Sequence, residues 1–475
     1  MKKFYITTAI PYVNAKPHVG HALEFVQGDT IARYHKLLGE DVCLLSGGDE
    51  NALKNVQAAE AAGKDLQTFI DENTESFAEL ARKLLVDFSI FQKGSSKIHH
   101  TSSQTLWNLC FQHGDIYKKS YEGLYCLGCE AFYTAEDLNK NGECYEHPGK
   151  KLQIVKEENY FFKLSQYQDD IVRRLESGEL RIYPDFRKNE VLQFVRRGLQ
   201  DISISRSNER AKNWGVPVPN DDSQRMYVWF DALNIYQSGI GFGWDEKQYH
   251  KWWPADIHVI GKGISRFHAV YWPAFLLSAK LDLPKAIFVH GYFTVNGQKM
   301  SKTLGNVVDP SELINKYGAD SLRYYFLREI PAFSDGDFSE SRFKELYNAD
   351  LANGLGNLVA RVAKLAEGST YSPSKIPNEI FSTGKYATDL QEFRFHDALK
   401  GIWEEIKKQD LYINSTTPWK VKDEDRRKIL SSTINKLREI ALLLQPFMPT
   451  IATKIQKQFE GPTITSESPL FPRLV

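Results

Sequence analysis

Cysteine is scarce, with five residues in 475. So few cannot build the disulfide scaffold on which small secreted domains depend, and that class is excluded. Long apolar runs are missing too. No window approaches the roughly 18 residues a helix needs to cross a bilayer. After Met1-Lys2-Lys3 a short apolar run is soon interrupted by Pro11, Tyr12 and Asn14, which does not make a secretory signal. Net charge is absent as well: 60 basic residues balance 60 acidic ones. This rules out a global positive coat for nucleic acid and leaves room for local basic surfaces. Internal repeats and low-complexity tails are lacking. The expectation is a cytoplasmic protein, with no membrane partner, of about three domains.

What is present has a clear order. Phe4 to Ile10 is rich in β-branched and aromatic residues, as in a buried strand, and Pro11 stops it. Ala22, Phe25, Val26 and Ile31 then recur at helical spacing as far as Gly39, a C-terminal cap. A second apolar run, Val42 to Leu45, ends at Ser46-Gly47-Gly48-Asp49-Glu50. Strand, helix and strand within this length make a βαβ unit of a parallel sheet. Ligands of such sheets bind at the carboxyl ends of the strands, where the loops 11–21 and 46–51 fall. From 116 to 220 the texture changes to short strands with clustered Cys, Gly and aromatics, which predicts an inserted domain. Met226–Phe230, Ile257–Ile260 and Ala286–Val289 then read as strands of the resumed sheet. From about 345 onward the pattern is helical, broken between Gly368 and Pro377.

Three constellations carry chemistry. His18-Val19-Gly20-His21 stands at the mouth of the first helix. Free N–H groups and a partial positive charge there attract phosphate, and Gly20 allows close approach. The two imidazoles can donate hydrogen bonds to phosphate oxygens as charge builds. Lys299-Met300-Ser301-Lys302-Thr303 lies between Gly297 and Gly305, and its two lysines can bracket a triphosphate. Alone, either motif has an ordinary explanation, as a helix cap or a solvated face. Cys126-x2-Cys129 and Cys144-x2-His147 are separated by fourteen residues. Four soft ligands in two facing turns suit a closed, tetrahedral and therefore structural zinc ion. Free thiols or two disulfides are the alternatives, and a cytoplasmic setting disfavours disulfides. Cys43 and Cys110 lie in apolar surroundings and read as core.

The ordered pair of phosphate motifs resembles the His-Ile-Gly-His and Lys-Met-Ser-Lys-Ser signatures of class I aminoacyl-tRNA synthetases. Ala9-Ile10-Pro11-Tyr12, Asp201 to Arg206, Tyr227 to Ala232, Phe267 to Pro273 and Val289 to Tyr292 are similar to the methionyl-tRNA synthetase family. The resemblance implies a Rossmann-like α/β catalytic domain split by a zinc-binding connective insertion and followed by a helical anticodon-binding bundle. The implied spans are 1–115 and 221–298 for the catalytic halves, 116–220 for the insertion, 299–345 for the signature loop and connector, and 346–475 for the bundle. The implied reaction activates L-methionine with ATP and Mg²⁺ and transfers it to the 3′ adenosine of tRNA(Met).

The resemblance also implies residue roles. His18, His21, Lys299 and Lys302 would be catalytic, and with Gly20 and Arg206 would bind ATP. Methionine would be held by Ala9, Ile10, Tyr12, Trp229, Ala232, Leu233, Tyr236, Ile264, His268 and Trp272, with Asp49 on its ammonium group. An apolar and aromatic pocket suits a soft, weakly hydrated thioether. Asn357, Arg361 and Trp419 would read the anticodon. The family's zinc knuckle matches the Cys126, Cys129, Cys144 and His147 set.

Four departures stand out: Gly263 in place of an acid, Asn51-Ala52 in place of His-Gly, Thr303 in place of Ser, and a longer stretch from Ser207 to Asn213. Two other functions remain open: a non-catalytic tRNA-binding paralogue, and a class I synthetase for another apolar amino acid. The intact signature residues weigh against the first. Only about a hundred residues separate the half-sheets, too few for a large editing insertion, which weighs against the second. The chain stops soon after the helical segment, without an appended dimerising domain, so a monomer is expected.

Overall fold

The computed structural model describes residues 2–126, 131–133, 138–145, 148–300 and 306–474. At its centre is a six-stranded, wholly parallel sheet. Its order is Ile90–Lys93, Asp41–Gly48, Lys3–Thr8, Ile257–Gly261, Ala286–His290 and Arg181–Tyr183. The two inner strands, Lys3–Thr8 and Ile257–Gly261, are far apart in sequence and pair directly, Ile6 beside Ile257. The sheet therefore builds outward in both directions from their junction. The crevice at the carboxyl ends of the strands lies over this switch point.

The expected strands Ile257–Ile260 and Ala286–Val289 are found with one residue added to each. The first helix spans Val19–Leu37, and Gly39 follows with φ +79°, the left-handed conformation that ends helices. Met226–Phe230 is a correction. The strand Asp221–Met226 ends there, in a small antiparallel sheet with Ser205–Ser207 and Pro217–Val218. Val228–Leu233 is a helix. All six of its residues are buried, so the apolar run carries no periodicity by which helix and strand differ.

Between the halves, strands Ala131–Tyr133, Ile116–Cys126, Gln153–Phe162 and Ile202–Ser203 form an antiparallel sheet. The edge strand Arg181–Tyr183 of the central sheet also comes from this stretch. After the sheet, Phe293–Val295 and Gln298–Lys299 form a hairpin turning at Asn296 (φ +50°) and Gly297 (φ +74°). Positive φ at both corner residues gives the tight turn that matches strand twist. It delivers Met300 to the sheet's carboxyl edge.

The C-terminal third is helical. Its main helices are Asn357–Ala366, Phe395–Thr416, Asp423–Leu444 and Pro449–Gln458. It is joined to the catalytic half through Arg323, whose guanidinium is fully buried. Arg323 donates to the carbonyls of Phe447, Leu84 and Pro446 at 2.9, 3.1 and 2.8 Å and meets Asp29 at 2.7 Å. No helix among the described residues is long and apolar enough to cross a membrane.

Candidate active site

The first helix closes its own N-terminus with histidine. His18 Nδ1 accepts from the Gly20 N–H at 3.1 Å, and His21 Nδ1 accepts from the His18 N–H at 3.2 Å. The rings stack with centroids 4.0 Å apart. Burial pushes His18 down to about 4 and holds His21 well below its ordinary value, with the neighbouring imidazoles adding to the effect. Both rings are therefore neutral near pH 7. With each Nδ1 accepting, the single ring proton sits on Nε2, where it can be donated to an oxyanion.

The second signature meets the first. A Cβ built on Gly20 would lie 3.8 Å from Met300 Cε. Lys299 belongs to the hairpin strand. Ser301, Lys302 and Thr303 lie outside the described residues.

The expected amino-acid pocket draws on distant segments. Trp229, Leu233, Tyr236 and Trp272 share one buried cluster, against which Ala9, Ile10, Tyr12 and Ile264 pack. Ala232 is buried in the same short helix as Trp229. The Tyr12 ring meets Trp229 edge-on at 6.3 Å, and Trp229 stacks flat on Phe267 at 3.9 Å. His268 Nδ1 faces the Ile264 carbonyl at 3.0 Å and must carry the ring proton. Its Nε2 therefore accepts from Tyr236 OH at 2.8 Å. Burial lowers His268 to about 4, so this tautomer is fixed and neutral. Trp272 is fully buried with its ring 6.1 Å from that of Trp253, deeper in the core than the others. Asp49 is buried beyond the strand Asp41–Gly48 and is bridged to Tyr12. Asn51, one of the departures, donates to Asp231 at 2.6 Å and ties the loop after Asp49 to the Trp229 helix. Arg206 is buried on Ser205–Ser207 with its guanidinium 5.9 Å from the centre of the Tyr227 ring.

Sequence reasoning missed two residues. Glu24, three residues after His21, accepts from the Ala9 N–H at 2.9 Å and meets His290 Nε2 at 2.9 Å. It joins the ends of the strands Lys3–Thr8 and Ala286–His290 across the crevice. A buried acid on the apolar face of the helix was the available signal. Phe267 is the stacking partner of Trp229, and only its place beside His268 pointed to it.

Of the zinc set, Cys126 and Cys144 are buried in one small cluster with Tyr133. Cys129 and His147 lie outside the described residues, and among the described residues no group of three ligands gathers. Cys43 and Cys110 are buried, and burial pushes both thiols up to about 12. In the helical domain, Asn357 is exposed on Asn357–Ala366. One turn on, the Arg361 guanidinium sits 5.1 Å from the centre of the Trp419 ring. Trp419 is 47% exposed.

A histidine-capped helix at the switch point of a split parallel sheet, met by a lysine-bearing hairpin and followed by a helical domain, is the architecture of a class I tRNA synthetase. The family of tRNA synthetases class I (M) matches residues 4–363, and the anticodon-binding domain of tRNA ligase matches 383–474. A methionine–tRNA ligase of Thermotoga maritima is 41% identical over 471 residues, 95% of this chain and 74% of that protein. One from Brucella suis is 39% identical over 511 residues, covering 100% of this chain and 98% of the relative. The solved Mycobacterium tuberculosis methionyl-tRNA synthetase in complex with methionyl-adenylate matches with a TM-score of 0.91 at 36% identity, covering 100% of both chains. The chain belongs to the methionine–tRNA ligase family.

Proposed function

We propose that this chain joins L-methionine to tRNA(Met) in two steps at the mouth of its first helix. The methionine carboxylate attacks the α-phosphorus of ATP, giving methionyl-adenylate and pyrophosphate. The hydroxyl of the terminal adenosine of tRNA then attacks the acyl carbon, and AMP leaves. No side chain forms a bond to substrate, so the protein works by positioning and by stabilising phosphate charge. The observation that carries this function is the meeting of the two signatures, Met300 against Gly20 at the histidine-capped helix end.

His18 and His21 donate from Nε2 to the ATP phosphates, with Gly20 and Arg206 completing the nucleotide site. Lys299 and Lys302 attract the departing pyrophosphate, and Mg²⁺ arrives with ATP. Trp229, Tyr12, Ile10, Ala9, Ala232, Leu233, Tyr236, Ile264 and His268 surround the thioether. Trp272 supports them from behind, and Asp49 takes the ammonium group. The neutral His268 offers no charge to a thioether, which suits an uncharged side chain.

Cys126, Cys129, Cys144 and His147 would hold one zinc ion in the insertion, spanning 116–220. Thiolates and imidazole are the donors zinc takes, and two of these thiols already lie in one buried cluster. Bound there, the ion would cross-link two turns and take no part in the reaction. Asn357, Arg361 and Trp419 read the anticodon, with the exposed indole stacking on a base. The test of the function is ATP–pyrophosphate exchange across the twenty amino acids. Methionine should stand at least a hundredfold above leucine. Preference for another amino acid, or no exchange at all, would overturn it.

A further inference from the structure

The two ends of the substrate fall to separate elements. Asp49 follows the strand Asp41–Gly48, while Trp229 and Ala232 stand on the helix Val228–Leu233. Asn51, two residues after Asp49, meets Asp231, two residues after Trp229. Asn51 Nδ2 donates to Asp231 Oδ2 at 2.6 Å and to the Gly94 carbonyl at 2.8 Å, so both of its hydrogens are committed. Asp231 Oδ1 accepts from His99 Nε2 at 2.6 Å and from Ser103 Oγ at 3.0 Å, and His99 Nδ1 meets Ser238 Oγ at 2.7 Å. All five side chains are buried. Burial pushes the Asp231 carboxyl up, yet His99, His100 and Asn51 outweigh it and hold the group below the ordinary carboxylate value.

The Asp49 side of this span is fixed by other contacts. Glu50 accepts from Thr74 Oγ1 at 2.6 Å and from the Ser95 N–H and hydroxyl at 2.9 and 2.6 Å. The Gly94 N–H donates to the Gly48 carbonyl at 3.1 Å, and a Cβ on Gly94 would fall 2.9 Å from that oxygen. The loop that carries Asp49 is therefore clipped to the loop at 94–95 before Asn51 reaches across. The helix that carries Trp229 has six residues, and Asp231 is where that loop grips it. A substrate held at one end by the loop and at the other by the helix is measured by the distance between them. A misplacement of about 1 Å can cost about 100-fold in rate.

We infer that Asn51 and Asp231 are a positioning pair that sets the distance between the ammonium site and the thioether pocket, and so selects side chains of methionine's length. This rests on the proposed activation of methionine and adds how side-chain length is measured. The test is ATP–pyrophosphate exchange by the full chain with three thioether amino acids: S-methylcysteine, one methylene shorter than methionine, methionine itself, and homomethionine, one methylene longer. One methylene is worth about 10- to 200-fold in an apolar pocket, so kcat/KM of the parent for methionine should exceed each homologue at least about tenfold. In Asn51→Ala the advantage over at least one homologue should fall about threefold or more. Asn51→Ser, whose hydroxyl is too short to reach Asp231, carries the same expectation should the alanine variant fail to fold. Asp231→Asn should lose less than threefold, since an amide turned with its oxygen toward Asn51 and its nitrogen toward His99 preserves the tie. A merely structural role would lower kcat for all three amino acids alike and leave their ratios in place. Ratios that fall less than threefold in the Asn51 variant overturn the inference, as do an equal fall in Asp231→Asn and a parent that does not separate the three. A parent that activates no methionine would instead overturn the proposed function.

Discussion

Replacing Arg323 by methionine should cost about 3 kcal/mol of stability while keeping the volume of the side chain. Removing one partner of a buried ion pair costs about 3–5 kcal/mol, because the other charge is left without compensation. Here the loss is spread over four contacts: three carbonyls, on Leu84, Pro446 and Phe447, and the Asp29 carboxylate. Asp29 is not abandoned, since Arg33 Nε stays at 2.7 Å and the Asp87 N–H at 3.1 Å. That puts the cost at the low end of the range. Urea unfolding of the full chain measures it, and Asp29→Asn, alone and combined with Arg323→Met, completes a cycle. The double variant should lose less than the sum of the two singles, because both singles remove the same Arg323–Asp29 contact and the double removes it only once. Arg323→Lys should recover less than half the loss, since an ammonium lacks the planar fork that reaches all four acceptors. An Arg323→Met chain within about 0.5 kcal/mol of the parent, as for an ordinary surface substitution, would refute the reasoning.

Stability should fall as pH drops from about 6.5 toward 4. His268 sits near 4 in the folded chain because of burial, against an ordinary value of 6.5, so the unfolded chain takes up its proton first. Its stabilising contribution is whole above the unfolded value and is lost as pH falls to the folded one, about 3 kcal/mol over that window. His268→Gln should remove one proton from the slope of unfolding free energy against pH, and a parent chain equally stable at pH 7 and 5 would contradict this. Metal analysis of freshly purified protein should find one zinc per chain. Less than half an equivalent would count against the site at Cys126, Cys129, Cys144 and His147.

The parallel sheet was legible where side-chain chemistry and burial agree. Ile257–Ile260 and Ala286–Val289 are short β-branched and aromatic runs between helical stretches, and they form adjacent strands. Met226–Phe230 has the same texture and turns into a helix instead, because a segment buried on every side shows neither a two-residue nor a 3.6-residue period. Arg181–Tyr183 is three residues long, and what recruits it is the exposed edge of Ala286–His290, a feature of the fold and not of the local sequence. In the site, the capped helix could be read from His18 to His21 because the contacts are local. The meeting of Glu24 with His290 joins positions 266 residues apart, and nothing in the sequence around either residue names the other as its partner. Arg361 over Trp419 closes a much shorter gap, and only the family resemblance had named both.

The strand Arg181–Tyr183 has a consequence for how the chain can be cut. The stretch from 116 to 220 looks like a cassette that could be lifted out. Excising it whole would strip the outermost strand from the catalytic sheet and leave Ala286–His290 with open backbone donors and acceptors, an invitation to pair with another chain. A viable minimal enzyme must therefore keep this thread. The insertion is sewn into the sheet at its far end, so the two halves of the catalytic domain are fastened both at the junction of the inner strands and at the rim.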